Sequence, residues 1–264
     1  MECDLAPHLE KALRHAHAIF QMCLVDSPGA AYLEGRGVSA AMRTVAGFGY
    51  APPGFLSMLL SHFGGVSPAD LLSVGIDSSL EGRLTFPWWS LGGSHLLALG
   101  GRTVAPDDRR AKYFNPYKSL WWAKGRSLFG VPAALPGIVA NGAIVVEGPF
   151  DAVALWGMGY THAVATVGAK ITADQLFMLA RFTDSITVLL DNDEGGRRGR
   201  DELIKIVGDG LLPPSLTVSA TTLRGAKDPA EATPEQIAEA LANPFPISKE
   251  PLDRTKTRVV RSTT

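Results

Sequence analysis

The sequence predicts an α/β protein in which an α+β N-terminal subdomain precedes a sheet built from parallel βαβ units. Apolar residues recur at helical spacing near the N-terminus, short extended runs follow, and strands then alternate regularly with helices. The chain has 264 residues, of which 46% are hydrophobic, so it can bury one large core or two smaller ones. We expect a basic subdomain over residues 1–131, a second domain over residues 132–242 and a tail or linker over residues 243–264.

The N-terminal subdomain is predicted to begin with a long helix over residues 5–25, because Leu9, Leu13 and Phe20 stand at helical spacing. Shorter helices, separated by Gly and Pro, are expected at residues 29–35, 40–46, 55–63 and 68–74. Extended runs at residues 84–88 and 95–99 flank the pair Gly92-Gly93. This pattern favours two strands joined by a turn.

The second domain is predicted to alternate strictly between strands and helices. Strands are expected at residues 143–146, 162–166, 186–190 and 216–220. Helices are expected at residues 150–158, 173–181, 197–207 and 234–241. Elements at this interval imply a parallel sheet that presents its ligands at the carboxyl ends of the strands.

Composition argues against several classes of protein. Two cysteines, Cys3 and Cys23, cannot supply a four-thiolate zinc site, and His15 and His17 lie on different faces of the predicted helix. We therefore expect no zinc in this chain. The most apolar run, residues 138–146, is too short to span a bilayer, and the N-terminus lacks the pattern of a secretory signal. We expect a soluble cytoplasmic protein with no membrane partner, in the host cytoplasm if it is phage-encoded.

The formal net charge of −1 hides a basic strip between residues 83 and 126. Eight basic residues face only Asp107 and Asp108 there, which leaves a net charge of +6. The basic residues are Arg83, Arg102, Arg109, Arg110, Lys112, Lys118, Lys124 and Arg126. A basic strip next to an acidic cluster suits a polyanion and its metal ions, although charge counting alone favours an ordinary solvated surface.

Carboxylates stand directly after the predicted strands of the second domain. Glu147 and Asp151 follow the first strand, Asp191 and Asp193 follow the third, and Asp228 follows the fourth after a short loop. Hard oxygen donors gathered at one edge of a sheet favour Mg²⁺ or Mn²⁺. A single Asp at such a junction is more often a helix N-cap, and Asp151 in particular could cap its helix. Three clusters at three strand ends favour the metal site.

These residues carry a resemblance to a known family. Glu147-Gly-Pro-Phe-Asp151, followed by Asp191-Asn-Asp193, resembles the signature of the TOPRIM domain shared by bacterial-type primases, topoisomerases and some nucleases. Upstream motifs resemble, in order, the polymerase core of DnaG-type primases, so that the likeness covers roughly residues 31–232. These motifs are Tyr32–Gly37, Gly49–Pro52, Phe86-Pro87, Leu99–Arg102, Lys112–Pro116 and Lys124–Gly130, and Ala165–Gly168 and Lys227–Pro229 also match.

The resemblance implies a site for two divalent ions, Mg²⁺ or Mn²⁺. Glu147, Asp191 and Asp193 would form the principal catalytic metal site, with Glu147 as general acid or base, and Asp151 and Asp228 would lie towards a second ion. The resemblance also implies that four further residues contact nucleotide or template, namely Arg102, Lys112, Asn115 and Lys124. The family commonly has a second Asp after Asp-Pro, where this sequence has Ala230 and then Glu231, so either Glu231 substitutes for it or the second ion is held more weakly.

The sequence also departs from the family after Phe-Pro, where Trp88-Trp89 replaces a basic residue that the family often has. These tryptophans, together with Trp121 and Trp122, could stack single-stranded bases. We expect most of them to be buried in the core of the N-terminal subdomain.

The resemblance implies synthesis of short RNA primers on single-stranded DNA from ribonucleoside triphosphates. It implies as partners a replicative helicase and a separate zinc-binding module. Two other classes stay open: another TOPRIM enzyme such as a nuclease, and a non-catalytic module of the replisome that binds single-stranded DNA. A topoisomerase needs a tyrosine on a large gate domain, and nothing in this sequence is long enough to form one. No Walker loop of the GxxxxGK[ST] form occurs, which argues against a fused helicase motor.

Overall fold

The computed structural model describes residues 5–62, 66–117, 119, 121–168 and 170–247. Cys3, Lys118 and residues 248–264 of the expected tail lie outside these ranges. Within them, no helix combines the length and the apolar character needed to cross a membrane.

The N-terminal half combines five helices with an antiparallel sheet in the described ranges. The helices are α1 (Pro7–Met22), α2 (Pro28–Gly35), α3 (Ala40–Ala46), α4 (Phe55–His62) and α5 (Pro68–Ser73). The strands are β1 (Gly49–Ala51), β2 (Arg83–Trp89), β3 (Leu96–Thr103) and β4 (Tyr113–Phe114), in the order β1-β2-β3-β4. Single 3₁₀ turns lie at Ser78–Leu80 and Lys124–Arg126.

Serine caps explain where three of these helices begin. Ser27, Ser39 and Ser67 each accept a hydrogen bond from the backbone amide three residues later, which satisfies a free donor of the first helical turn. Pro28 and Pro68 occupy the first turn, where the missing N–H costs nothing. The apolar face of α1, which includes Leu13 and Phe20, then packs into the N-terminal core.

The second half is the predicted parallel sheet. Its helices are α6 (Val131–Asn141), α7 (Pro149–Gly157), α8 (Ala173–Leu179), α9 (Glu194–Gly208) and α10 (Pro234–Ala242). Its strands are β5 (Ala143–Val146), β6 (Ala163–Ala165), β7 (Ser185–Leu190), β8 (Thr217–Thr222) and β9 (Phe245–Pro246), in the order β6-β5-β7-β8-β9. The first three pairings are parallel and β9 is antiparallel to β8, so β5, β7 and β8 end at the same edge.

Buried side chains of this sheet alternate between two layers. Ile144 and Val146 pack into the core that includes residues of α7 and α10, whereas Val145 packs with residues of α6, α8 and α9. A strand buried on both faces is typical of a parallel sheet covered by helices on either side. The predicted fold class is therefore confirmed, although several element bounds differ by a few residues and α6, β1, β4 and β9 were not predicted.

The two halves share one aromatic cluster. Phe48 stacks on Phe129 at 6.0 Å and on Phe150 at 5.2 Å between ring centroids, and Phe129 stacks on Trp156 at 6.0 Å. Phe129 also exchanges backbone hydrogen bonds with Ala165 of β6, at 2.8 and 3.1 Å. The N-terminal half is thus joined to the parallel sheet by both side chains and backbone. The predicted division at residue 131 stays a prediction.

Candidate active site

The carboxyl ends of β5, β7 and β8 bring the predicted acidic residues to one edge of the sheet. Glu147 follows β5 directly, Asp191 follows β7, and Asp228 lies in the loop after β8. The Asn192 amide donates a hydrogen bond of 2.9 Å to the Lys227 carbonyl, so two of these loops are joined by backbone. The position of the acidic cluster therefore follows from sheet topology.

Asp151 is a buried carboxylate on the first turn of α7. Its side chain is 7% exposed, and Oδ2 accepts a hydrogen bond of 2.9 Å from the Gly148 amide. This geometry agrees with the alternative that Asp151 caps its helix, since Asp151 is the third helical residue of a capping box. Burial and the negative charge of Asp228 together raise the pKa of Asp151 to about 7, although hydrogen bonds from the amides of Gly148 and Ala230 act to lower it.

Asp191 and Glu147 form the electrostatic centre of the cluster. Burial and then the charges of Glu147, Asp151, Asp228 and Asp193 raise the pKa of Asp191 to about 8. Burial also raises the pKa of Glu147, with a smaller contribution from Asp193. Glu147 Oε1 and Asp191 Oδ1 are buried and lack a hydrogen-bond partner. Such carboxylates repel one another unless a cation is present.

The acidic side chains in the described part of the chain are not arranged as a preformed metal site. In the described ranges, no group of at least three His, Cys, Asp or Glu side chains is arranged so that it could hold a metal. Asp193 instead caps α9, where its Oδ1 accepts a hydrogen bond of 3.0 Å from the Gly196 amide. Gly196 packs so closely on Asp191 that an added Cβ would lie 2.0 Å from the Asp191 carbonyl oxygen. Metal binding by these residues stays a prediction.

Arg102 forms the basic wall opposite the carboxylates. It is 8% exposed, and its Nη1 donates a hydrogen bond of 2.8 Å to Tyr113 Oη. Its guanidinium also lies over the rings of Tyr32, Tyr113 and Phe150, at 5.0, 5.3 and 4.9 Å from their centroids. Cation–π contacts and the tyrosine hydroxyl hold the guanidinium in one place.

Further cations border the same pocket. Its described lining consists of Arg36, Arg102, Lys112, Tyr113, Glu147, Gly148, Phe150, Asp151, Gly168, Asp191 and Asp228. Partial burial of the ammonium group lowers the pKa of Lys112, as do the nearby charges of Arg102 and Lys227. Lys124 lies outside this lining, but its Nζ is 2.7 Å from the position that a Cβ on Gly168 would take. Asp193 and Asn115 also lie outside it, and Asn115 Oδ1 is buried without a hydrogen-bond partner.

Arg36 is a charged residue of this pocket that the sequence analysis did not name as a site residue. Its guanidinium lies 5.3 Å from the centroid of the Tyr32 ring, and its charge lowers the pKa of Asp151. Arg36 belongs to the Tyr32–Gly37 motif, which was the available signal. Nothing in that motif indicates that Arg36, which is distant in sequence from Asp151, would line the same pocket.

The predicted basic strip divides into two groups in the structure: Arg102 and Lys112 line the pocket, whereas Arg83 and Arg110 are engaged within the fold. Arg83 is 3% exposed and donates hydrogen bonds to the carbonyls of Ser79 and Ala111, so it stabilises the fold rather than facing solvent. Arg110 pairs with Asp108 at 2.6 Å. Trp88 and Trp122 are buried, at 0% and 4% exposure, whereas Trp89 and Trp121 are only half-buried, so the expected burial holds for two of these four tryptophans.

A parallel sheet whose acidic strand ends face a basic wall fits the class of Toprim-like proteins. The family model described as Toprim-like matches residues 144–233, and the one described as the N-terminal domain of the DNA primase catalytic core matches residues 20–135. The chain belongs to the family of DnaG-type DNA primase catalytic cores that carry a Toprim domain.

Relatives and solved structures agree with this assignment. The DNA primase of Deinococcus radiodurans is 34% identical over 260 residues, which cover 90% of this chain and 42% of that primase. The crystal structure of the RNA polymerase domain of Mycobacterium tuberculosis primase DnaG matches with a TM-score of 0.80 at 26% identity, covering 92% of this chain and 85% of that chain. A structure of the DnaG primase catalytic domain bound to ssDNA matches with a TM-score of 0.76 at 26% identity, covering 90% and 79% respectively. The chain thus spans about two fifths of the length of the curated Deinococcus relative.

Proposed function

We propose that this chain synthesises short RNA primers by joining ribonucleoside triphosphates along a single-stranded DNA template. The observation that carries the proposal is the pocket in which Glu147, Asp151, Asp191 and Asp228 face Arg36, Arg102 and Lys112. Nucleotidyl transfer needs cations for the phosphates and carboxylates for divalent ions, and both line this pocket. The solved relative that binds ssDNA supports the choice of template.

The chemistry of the carboxylates suits two divalent ions, Mg²⁺ or Mn²⁺, for which the side chains would have to converge further. Glu147 Oε1 and Asp191 Oδ1 are buried oxygens without partners, and like charges raise the pKa of Asp191. Glu147, Asp191 and Asp193 would hold the principal ion, and Asp151 and Asp228 would lie towards the second. When bound, such ions lower the pKa of the primer 3′-hydroxyl and neutralise the charge of the leaving pyrophosphate.

The chain's own residues then bind and orient the substrates. Arg102 can grip a phosphate with two parallel N–H groups, because its aromatic neighbours fix the plane of the guanidinium. Lys112 adds a point charge in the same pocket, and Lys124 adds one next to Gly168 at its border. Glu147, whose pKa is raised by burial, can accept the proton of the 3′-hydroxyl as a general base. The exposed Glu231, whose amide donates to Asp228 Oδ1 at 3.1 Å, would complete the second site in place of the missing Asp.

Labelled ribonucleotide incorporation on single-stranded DNA tests this function. We expect products that require the template and Mg²⁺ or Mn²⁺, and their loss in Asp191→Asn. Asp209→Asn, at the exposed far end of α9, is the matched control and should retain activity. Template-independent product, or unchanged synthesis in Asp191→Asn, would contradict the proposal. A replicative helicase and a separate zinc-binding module are the two protein partners that the resemblance implies. Adding each of them to the same assay tests whether it acts with this chain.

A further inference from the structure

The 3₁₀ turn that carries Lys124 is fastened to α8 by one buried amide. Gln175 is 1% exposed, and its Nε2 donates hydrogen bonds to the carbonyls of Lys124 at 3.1 Å and Ser127 at 2.7 Å. Its Oε1 accepts a hydrogen bond of 3.0 Å from the Thr172 amide. The side chain of Gln175 therefore brackets the turn at both ends and caps its own helix at the same time.

Two contacts at the helix N-terminus support the same attachment. Thr172 Oγ1 donates a hydrogen bond of 2.5 Å to the Gly125 carbonyl, inside the bracketed turn. Arg126 pairs with Asp174 at 3.1 Å, but both side chains are mostly exposed, so this ion pair adds little. The buried hydrogen bonds of Gln175 and Thr172 thus fix the backbone of the turn.

The position of the 3₁₀ turn determines where the Lys124 ammonium lies. Lys124 Nζ stands 2.7 Å from the position of a Cβ on Gly168, so the ammonium lies directly against this glycine. Gly168 in turn lines the candidate active site, and its amide donates a hydrogen bond of 3.1 Å to the Glu147 carbonyl. A continuous path of contacts therefore joins Gln175, through the turn and Lys124, to Glu147.

We propose that Gln175 is a positioning residue that places Lys124 beside the active site and so sets the affinity for the incoming nucleotide. This inference rests on the proposed function, because it assigns Lys124 to nucleotide binding. Gln175 itself is buried behind the turn and touches no substrate. A residue of this kind acts through its partner, so its removal should matter only while Lys124 is present.

Gln175→Glu is the most specific test. It keeps an oxygen that can cap α8, and it removes the Nε2 group that donates both hydrogen bonds to the turn. Gln236 gives a matched control: it caps α10 by accepting from the Thr233 amide at 2.9 Å, and its Nε2 donates to the Arg224 carbonyl at 3.1 Å, away from the pocket. We expect Gln175→Glu to raise KM for the nucleotide about tenfold with little change in kcat, whereas Gln236→Glu changes neither. Thermal denaturation checks that both variants fold, and the shorter Gln175→Asn replaces Gln175→Glu if that variant does not.

Combination with Lys124→Ala separates positioning from a purely structural role. On the Lys124→Ala background, Gln175→Glu should have no further effect on KM. A further tenfold rise there, or an unchanged KM in folded Gln175→Glu, would overturn the inference. Equilibrium titration with a fluorescent ATP analogue in Mg²⁺ gives a second measurement that needs no polymerisation. If the wild-type chain makes no primer but binds the analogue, and Gln175→Glu weakens that binding, the proposed function fails while the positioning role stands.

Discussion

Arg102 and Tyr113 are joined by a hydrogen bond of 2.8 Å between Nη1 and Oη, across the paired strands β3 and β4. The guanidinium is also covered by Tyr32 from α2 and Phe150 from α7. Both halves of the protein therefore hold this one cation, and the tyrosine hydroxyl is its directional partner.

Tyr113→Phe should weaken nucleotide binding about three- to tenfold, because Arg102 loses one hydrogen bond while its aromatic neighbours remain. Titration with a fluorescent nucleotide measures the change. Tyr160→Phe, just after the C-terminal end of α7 and beside His162, is the control and should bind normally. Equal affinity in Tyr113→Phe and wild type would show that the aromatic rings alone place Arg102.

Asp193→Asn should weaken Mg²⁺ or Mn²⁺ binding and lower primer synthesis by about a hundredfold or more, as loss of a metal ligand usually does. Asn can still accept the hydrogen bond from Gly196, so the cap of α9 and the melting temperature should hold. Calorimetry measures the metal affinity, with Asp209→Asn as the control. An unchanged affinity would remove Asp193 from the ligand set.

Asp191→Asn should stabilise the metal-free protein at alkaline pH. The pKa of Asp191 is raised to about 8 in the folded chain from an ordinary value near 3.8, so its contribution to stability is present in acid and is lost as pH rises through about 8. Urea unfolding in a chelator at pH 9 should give the variant the higher midpoint, and the difference should vanish near pH 4. Added Mg²⁺ should reverse the order by stabilising wild type alone. A variant that is less stable under chelation would contradict the repulsion.

Binding of single-stranded DNA should weaken steeply with salt, because phosphate contacts release counterions. Lys112→Ala should flatten the plot of log affinity against log salt by about 0.7, the slope expected for one contact to a single strand. Arg102→Ala should also flatten it, whereas Lys205→Ala, on the exposed side of α9, should leave it unchanged. A complex that is insensitive to salt would indicate base stacking instead.

The periodic elements of the fold could be predicted from the sequence, because burial imposes their patterns directly. Helix α6 was missed because Pro132, Pro136 and Gly137 are residues that usually end a helix, yet here Pro132 occupies the first turn and Pro136 is accommodated inside. Strands β1, β4 and β9 have two or three residues each, which is too short for an alternating pattern. Strand β9 also lies within the segment expected to be a tail or linker.

The acidic half of the candidate site could be predicted for a physical reason, since carboxylates at parallel strand ends must meet at one edge. The basic half could not be predicted from charge alone, and only the resemblance singled out Arg102 and Lys112. Arg83 and Arg102 are both buried arginines on neighbouring strands, but one donates to backbone carbonyls and the other faces the pocket. Charge patterning does not separate these two roles. Arg36 and Gln175 act across long sequence distances that no local motif encodes.

The stack of Phe48, Phe129, Phe150 and Trp156 has a consequence for exchanging parts between relatives. Two of its rings come from the region matched as the primase N-terminal domain and two from the Toprim-like region. A chimera that joins this N-terminal half to a foreign Toprim region would bring together rings that were not selected as partners. Interiors packed this closely tolerate poor shape matching badly. Recombination within this family should therefore succeed where the ring partners are inherited together, whatever the position of the crossover along the chain.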